Sequence, residues 1–190
     1  MPKRRWLNRE HVIAKAVKMA DNTGTLETVS LKTLAEVLDI RTPSLYNHIT
    51  SLEDLHKGMA LWGLQQLLAT LRQAITGKVG RPALEAIANA YRHFAHTHPG
   101  VYPLTLRAPE PDEVELASLS QELLQLLTLV LASMGLQGND AIHAIRGLRA
   151  ILHGFVSLEA AAGYKMSLEP DESFRRLITT YLDGLNTTGE

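Results

Sequence analysis

Five polar side chains capable of chemistry fall close together in the run Arg41-Thr42-Pro43-Ser44-Leu45-Tyr46-Asn47-His48. Thr42, Ser44, Tyr46, Asn47 and His48 supply hydroxyl, amide and imidazole groups, and Leu45 is the one plain core residue among them. This is the inventory of short donors and acceptors that meets base edges and phosphate oxygens. The elements that must hold these groups are legible on either side. Ser30 offers a hydroxyl to the free N–H groups of a first helical turn, and Leu31, Leu34, Ala35 and Leu38 then share a face. Asp39 tolerates the left-handed backbone of a sharp exit, and Ile40 fills the corner. Thr42 is expected to cap a second helix with Pro43 in its first turn, where a missing N–H is harmless. The result is a helix-turn-helix whose second helix suits a major groove. A helical hairpin within a bundle is the competing reading.

Charge is unevenly distributed along the chain. The net charge is −1, but residues 1–60 carry nine Lys and Arg against seven Asp and Glu. Lys3, Arg4 and Arg5, with Arg9, form a basic arm ahead of the first helix. Such an arm can reach phosphates or a minor groove, or it is a solvated tail.

Other constellations carry less. His93 and His96 share a helical face at a spacing that can bind zinc. His98 falls at the helix stop, however, and no carboxylate is close in sequence, so no metal is expected. The chain has no cysteine, which excludes thiol catalysis, thiolate zinc sites and disulfides. Gly77-Lys78-Val79-Gly80 lacks the order of a phosphate loop. No nucleophile elbow, zinc-protease helix or dinucleotide fingerprint is present, so the chain is read as no enzyme, without a cofactor.

At 190 residues and 45% hydrophobic content the chain can bury a sizeable core. Helical periodicity runs throughout, without strand-like alternation or repeats, so the fold class is all-α with about nine helices. Three N-terminal helices form a helix-turn-helix domain over 1–55, and a long fourth helix bridges from about 51 to 75. Residues 56–190 form an antiparallel helical bundle. Further helices are expected from Pro82 to about Thr97, as a short turn at Tyr102–Leu106, from Asp112 to about Met134, from a cap at Asn139 or Asp140 to about Ala162, and from Pro170 to Leu185. The N-terminus has no apolar stretch behind its basic residues, so it is not read as a signal peptide, and no apolar run is read as a membrane span.

Residues 7–59 resemble the DNA-binding domain of the TetR family of bacterial transcriptional regulators. The resemblance rests on Val12-Ile13, Ala16, Gly24, Leu34-Ala35, Ile40, Pro43-Ser44-Leu45-Tyr46, His48 and Glu53-Asp54-Leu55. Asp39 stands where the family usually has Gly, and Leu52 where it usually has Lys. The C-terminal half resembles the WHG-type effector domain of that family through Tyr91-Arg92-His93-Phe94-Ala95, His98-Pro99-Gly100-Val101-Tyr102-Pro103-Leu104, His153-Gly154-Phe155 with Glu159, and Asp171-Glu172-Ser173-Phe174. Leu152 replaces the Trp of that name.

The resemblance implies a cytoplasmic, homodimeric, ligand-responsive repressor that binds a palindromic double-stranded DNA operator and no membrane. Its DNA-facing positions match Lys32, Arg41, Thr42, Pro43, Ser44, Tyr46, Asn47 and His48. The effector pocket is expected at Trp62, Phe94, Tyr102, Leu106, Leu127 and His153; so few charges suit a small apolar or aromatic molecule. A stripe of small residues at Ala144, Gly147, Ala150, Ile151, Gly154 and Leu158, with Ile178, Tyr181, Leu182 and Leu185, is expected at the dimer interface, or else packs within the chain. The alternative function is a helical small-molecule-binding or scaffolding protein that does not bind DNA.

Overall fold

The computed structural model describes residues 7–185, and among them the chain is all helical. Its elements are α1 (Arg9–Thr23), α2 (Leu31–Val37), α3 (Thr42–Leu45), α4 (Leu52–Ala74), α5 (Gly80–Thr97), the 3-10 turn η1 (Tyr102–Thr105), α6 (Val114–Ala132), α7 (Gly138–Ala160) and α8 (Pro170–Leu185). The nine expected helical segments are these, with η1 as the short one. The chain divides into two compact units. One comprises the described part of Met1–Gln66 with Thr97–Ala117, the other Leu67–His96 with the described part of Ser118–Glu190. The first therefore reaches beyond the boundary expected near residue 55 and takes in a segment from the middle of the chain.

In the first unit, α1 starts at Asn8, whose side chain accepts the His11 N–H, and stops at Gly24 in the left-handed conformation (φ 72°). Val12, Ala16, Val17 and Ala20 of α1, Leu34 and Ala35 of α2, Leu45, Ile49, and Leu55 and Met59 of α4 form one core with Val101. Val101 is there because Asp21, near the end of α1, holds its segment. The Asp21 carboxylate accepts the Gly100 and Val101 N–H groups, both at 3.2 Å, and the His98 Nδ1–H at 2.7 Å. A Cβ on Gly100 would fall on the Ala20 backbone, so only glycine allows this approach.

In the second unit three of the pieces of the C-terminal resemblance converge on one side chain. Arg92 of α5 donates to Glu159 of α7 (Nη2 to Oε1, 2.5 Å) and to Asp171 at the start of α8 (2.8 Å). Its guanidinium lies 4.8 Å from the Phe174 ring centroid and 5.4 Å from that of Phe155. Three helices are thus joined by a cation held between two acids and two aromatic faces. Burial pushes the Glu159 carboxyl up, but the hydrogen bonds and charges of Arg92 and His96 outweigh it and hold the group below the usual range.

α6 departs from expectation. It is long and apolar enough to cross a membrane by length and composition alone, with a mean hydropathy of 1.3 and little of it buried. Leu116 and Leu131 near its ends are buried, the leucines between are half-buried or, at Leu129, exposed, and Glu122 on its polar side pairs with Arg72 at 2.6 Å. α7 starts at Gly138 with Gln137 as cap rather than Asn139 or Asp140, because the Gln137 carbonyl already accepts the Ala141 N–H.

Candidate nucleic-acid interface

The local chemistry of residues 30–50 builds an exposed, one-turn helix on two buried pegs. Ser30 caps α2 reciprocally with Thr33: the Thr33 N–H donates to the Ser30 hydroxyl (3.1 Å), and the Ser30 N–H to the Thr33 hydroxyl (3.0 Å). The turn that follows places Asp39 at φ 55°, and the Ile40 N–H returns to the Ala35 carbonyl at 3.1 Å. Asp thus occupies the left-handed position expected of it. Thr42 does not cap α3. The helix begins one residue earlier, with Arg41 at the cap position and no side-chain bond there, because the Arg41 carbonyl accepts the Ser44 N–H at 2.8 Å.

Leu45 and Ile49 are fully buried and fix the segment to the core. Around them Lys32, Arg41, Pro43, Tyr46 and Asn47 are exposed, Tyr46 to 56%, and Thr42, Ser44 and His48 are half-buried. All eight DNA-facing candidates are therefore at least partly open to solvent, on α2, at the cap of α3, on α3 and in the turn after it. Lys3, Arg4 and Arg5 lie outside the described residues. Arg9 is committed elsewhere. Its guanidinium grips the Asp54 carboxylate with both nitrogens (2.6 and 2.8 Å) and donates to the His48 carbonyl at 3.2 Å. The hydrogen bond from Arg9 is the main reason that the Asp54 carboxyl is held down at about 2.

Residues 84–181 match the tetracyclin repressor-like C-terminal domain. The whole chain is also similar to the HTH-type transcriptional regulator YobS of Bacillus subtilis (strain 168), at 34% identity over 97% of this chain and 96% of that protein. The chain belongs to the TetR family of transcriptional regulators. The fold of this regulator is shared with a protein of unknown function from Rhodococcus sp. RHA1 (TM-score 0.79, 25% identity, covering 98% of this chain and 99% of that one). It is shared too with BioQ bound to its natural double-stranded DNA operator (TM-score 0.64, 22% identity, 95% and 98% covered).

The effector candidates of the regulator fall in both units. In the first, Trp62 stands edge-on to His98 with ring centroids 5.1 Å apart, Tyr102 is buried and Leu106 half-buried. In the second, Phe94 is buried, and Leu127 and His153 are half-buried, with the Ser157 hydroxyl 3.4 Å from His153 Nδ1. His96 meets Glu159 at 2.9 Å and His98 meets Asp21, so both histidines have carboxylate neighbours that sequence distance hid.

The small-residue stripe on α7 divides in two. Ala144 is buried and its carbonyl accepts the Tyr181 hydroxyl, and a Cβ on Gly147 would come within 2.8 Å of that hydroxyl. Ile178 and Leu182 are likewise buried by their own chain. Ala144 and Gly147 thus meet Tyr181 of α8 within the protomer, and Ile178 and Leu182 are covered by the chain itself, the packing that was the alternative to a dimer interface for these four. Gly154 faces open space, Leu158 is 51% exposed, and Ile151, Tyr181 and Leu185 are half-buried. Ala150 of the stripe is exposed on α7, and one residue missed by the sequence reading joins them: Gly184 on α8 faces open space. Its spacing from Tyr181 was the available signal.

Proposed function

We propose that this regulator is a homodimeric repressor that reads a palindromic operator and is controlled by a small apolar or aromatic effector. The observation that carries the DNA reading is the segment Thr42–His48, held by buried Leu45 and Ile49 while its polar side chains stay open. The operator in the BioQ complex supports the same use of this fold. Asn47, His48 and Thr42 contact base edges, whereas Lys32, Ser44 and Tyr46 hold phosphates, with Arg41 and Pro43 beside them. Two such segments related by a two-fold axis read half-sites about 34 Å apart or a multiple of it. The dimer forms through the open part of the α7 and α8 faces, at Ala150, Ile151, Gly154, Leu158, Tyr181, Gly184 and Leu185. The effector binds in the C-terminal unit, with Phe94, Leu127 and His153 as candidate contacts. It acts on DNA affinity through α4, an uninterrupted helix from Leu52 to Ala74, by favouring one arrangement of the two reading segments. Such a protein works in the cytoplasm.

Selection of bound duplexes from a random pool tests this directly. A palindromic consensus is expected, with affinity falling steeply as salt rises. Asn47→Ala should then relax preference at one base pair by about 1–3 kcal/mol, and Lys32→Ala should weaken every sequence alike. Failure to enrich any duplex, with no salt-sensitive binding, would leave the small-molecule-binding or scaffolding alternative.

A further inference from the structure

Arg9 has the chemistry of a phosphate contact and belongs by sequence to the basic arm, yet its bonds point inward. Three segments meet at its guanidinium: α1, which carries it; the end of the reading segment, whose His48 carbonyl accepts from Nη1 at 3.2 Å; and the first turn of α4, whose Asp54 accepts from both terminal nitrogens. Asp54 adds a third tie. Its Oδ2 also accepts the Thr50 N–H at 2.7 Å, in the turn between the reading segment and α4. The ladder of backbone bonds that holds α3 ends with the Ile49 N–H on Leu45. Beyond that point these side-chain bonds tie the turn into α4, together with the Ser51 hydroxyl, which accepts the Asp54 N–H at 3.0 Å. Gly58, one helical turn after Asp54, makes room: a Cβ there would come within 2.6 Å of Ile13 Cδ1 and 3.5 Å of Arg9 Nη2. A bidentate arginine–carboxylate pair fixes angle as well as distance, which a lysine or a single hydrogen bond does not.

We infer that Arg9 and Asp54 are positioning residues for DNA recognition, setting the angle at which the reading segment leaves α4, and that Arg9 is not one of the regulator's phosphate contacts. The inference rests on the proposal that Thr42–His48 reads DNA. A base-edge contact tolerates little misplacement, whereas a phosphate contact made by a flexible cation tolerates more. Loosening the pair should therefore damage discrimination before it damages general attraction to DNA.

The test compares Arg9→Gln, Asp54→Asn and the double variant with the wild type on the selected operator and on a random duplex, over a series of salt concentrations. Each single variant is expected to lose tenfold or more of the operator-to-random ratio, to keep its affinity for random DNA, and to keep the slope of log affinity against log salt. The double variant should be no worse than either single one. Amide exchange at Thr50 should speed up in all three, a readout independent of DNA. Arg9→Gln, at a side chain 44% exposed, covers the case in which Asp54→Asn does not fold. Three outcomes would overturn the inference. One is a slope lowered by about one in Arg9→Gln with both duplexes weakened alike, the mark of a lost phosphate contact. Another is a lower melting temperature with an unchanged ratio, which would make the pair merely structural. A wild type that enriches no duplex would remove the DNA reading and the positioning role together, whereas a wild type that does so beside an unaltered Arg9→Gln removes the positioning role alone.

Discussion

At the scale of single residues, the strongest determinants are side chains bonded across long stretches of sequence. Asp54 has its carboxyl held at about 2 by Arg9, below its ordinary value, so its contribution to stability is present above about pH 4 and is lost as pH falls toward 2. Asp54→Asn should lower the urea midpoint at pH 7, and the gap from wild type should close across that acid window. Equal gaps at pH 7 and pH 2.5 would contradict the assignment. Little of this was legible beforehand. Arg9 reads in sequence as one of four basic residues, and its partner lies 45 positions away. Asp39, by contrast, was legible, because the need for a left-handed residue is local and few side chains meet it. Thr42 was misplaced by one residue for a local reason too: the backbone closes the first turn from Arg41, and no side chain is needed there.

At the scale of elements, periodicity located the helices and contact between them decided what each face does. The Arg92 clasp joins α5, α7 and α8, and its members are all nearly covered except Asp171. Arg92→Met would leave Glu159 half enclosed without its cation, at a cost of about 3 kcal/mol at neutral pH. Since burial is the largest influence on Glu159 and pushes its carboxyl up, the variant should recover part of the loss as pH is lowered from 7 to 5 and the group takes a proton. Thermal melts of both proteins across that range would show the difference; a constant gap would argue against it. The segment from His98 to Leu106 was visible as a break between helices, but not its attachment to α1. Gly100→Ala should destabilise the regulator by about 1–3 kcal/mol in a denaturant titration, because the added methyl group meets backbone that cannot turn aside.

At the scale of the whole molecule, the stripe on α7 divides between contacts within the chain and the face proposed for the dimer. Gly147 faces Tyr181 of its own chain, whereas Gly154 faces nothing within it. Gly147→Ala should therefore lower thermal stability by about 1 kcal/mol. Gly154→Arg should leave helical content intact and yield monomers in sedimentation velocity, with a melting temperature that no longer rises with protein concentration. A Gly154→Arg protein that still sediments as a dimer would move the interface elsewhere. Sequence reading found the stripe but could not divide it, since small residues look alike whether a neighbour comes from the same chain or from another.

The reading segment is a single helical turn, pinned by Leu45 and Ile49, with Pro43, Tyr46 and Asn47 outside the core. Substitutions at those three outward positions remove no buried contact. If the proposed role of these positions holds, target preference can be changed there at little cost to the fold.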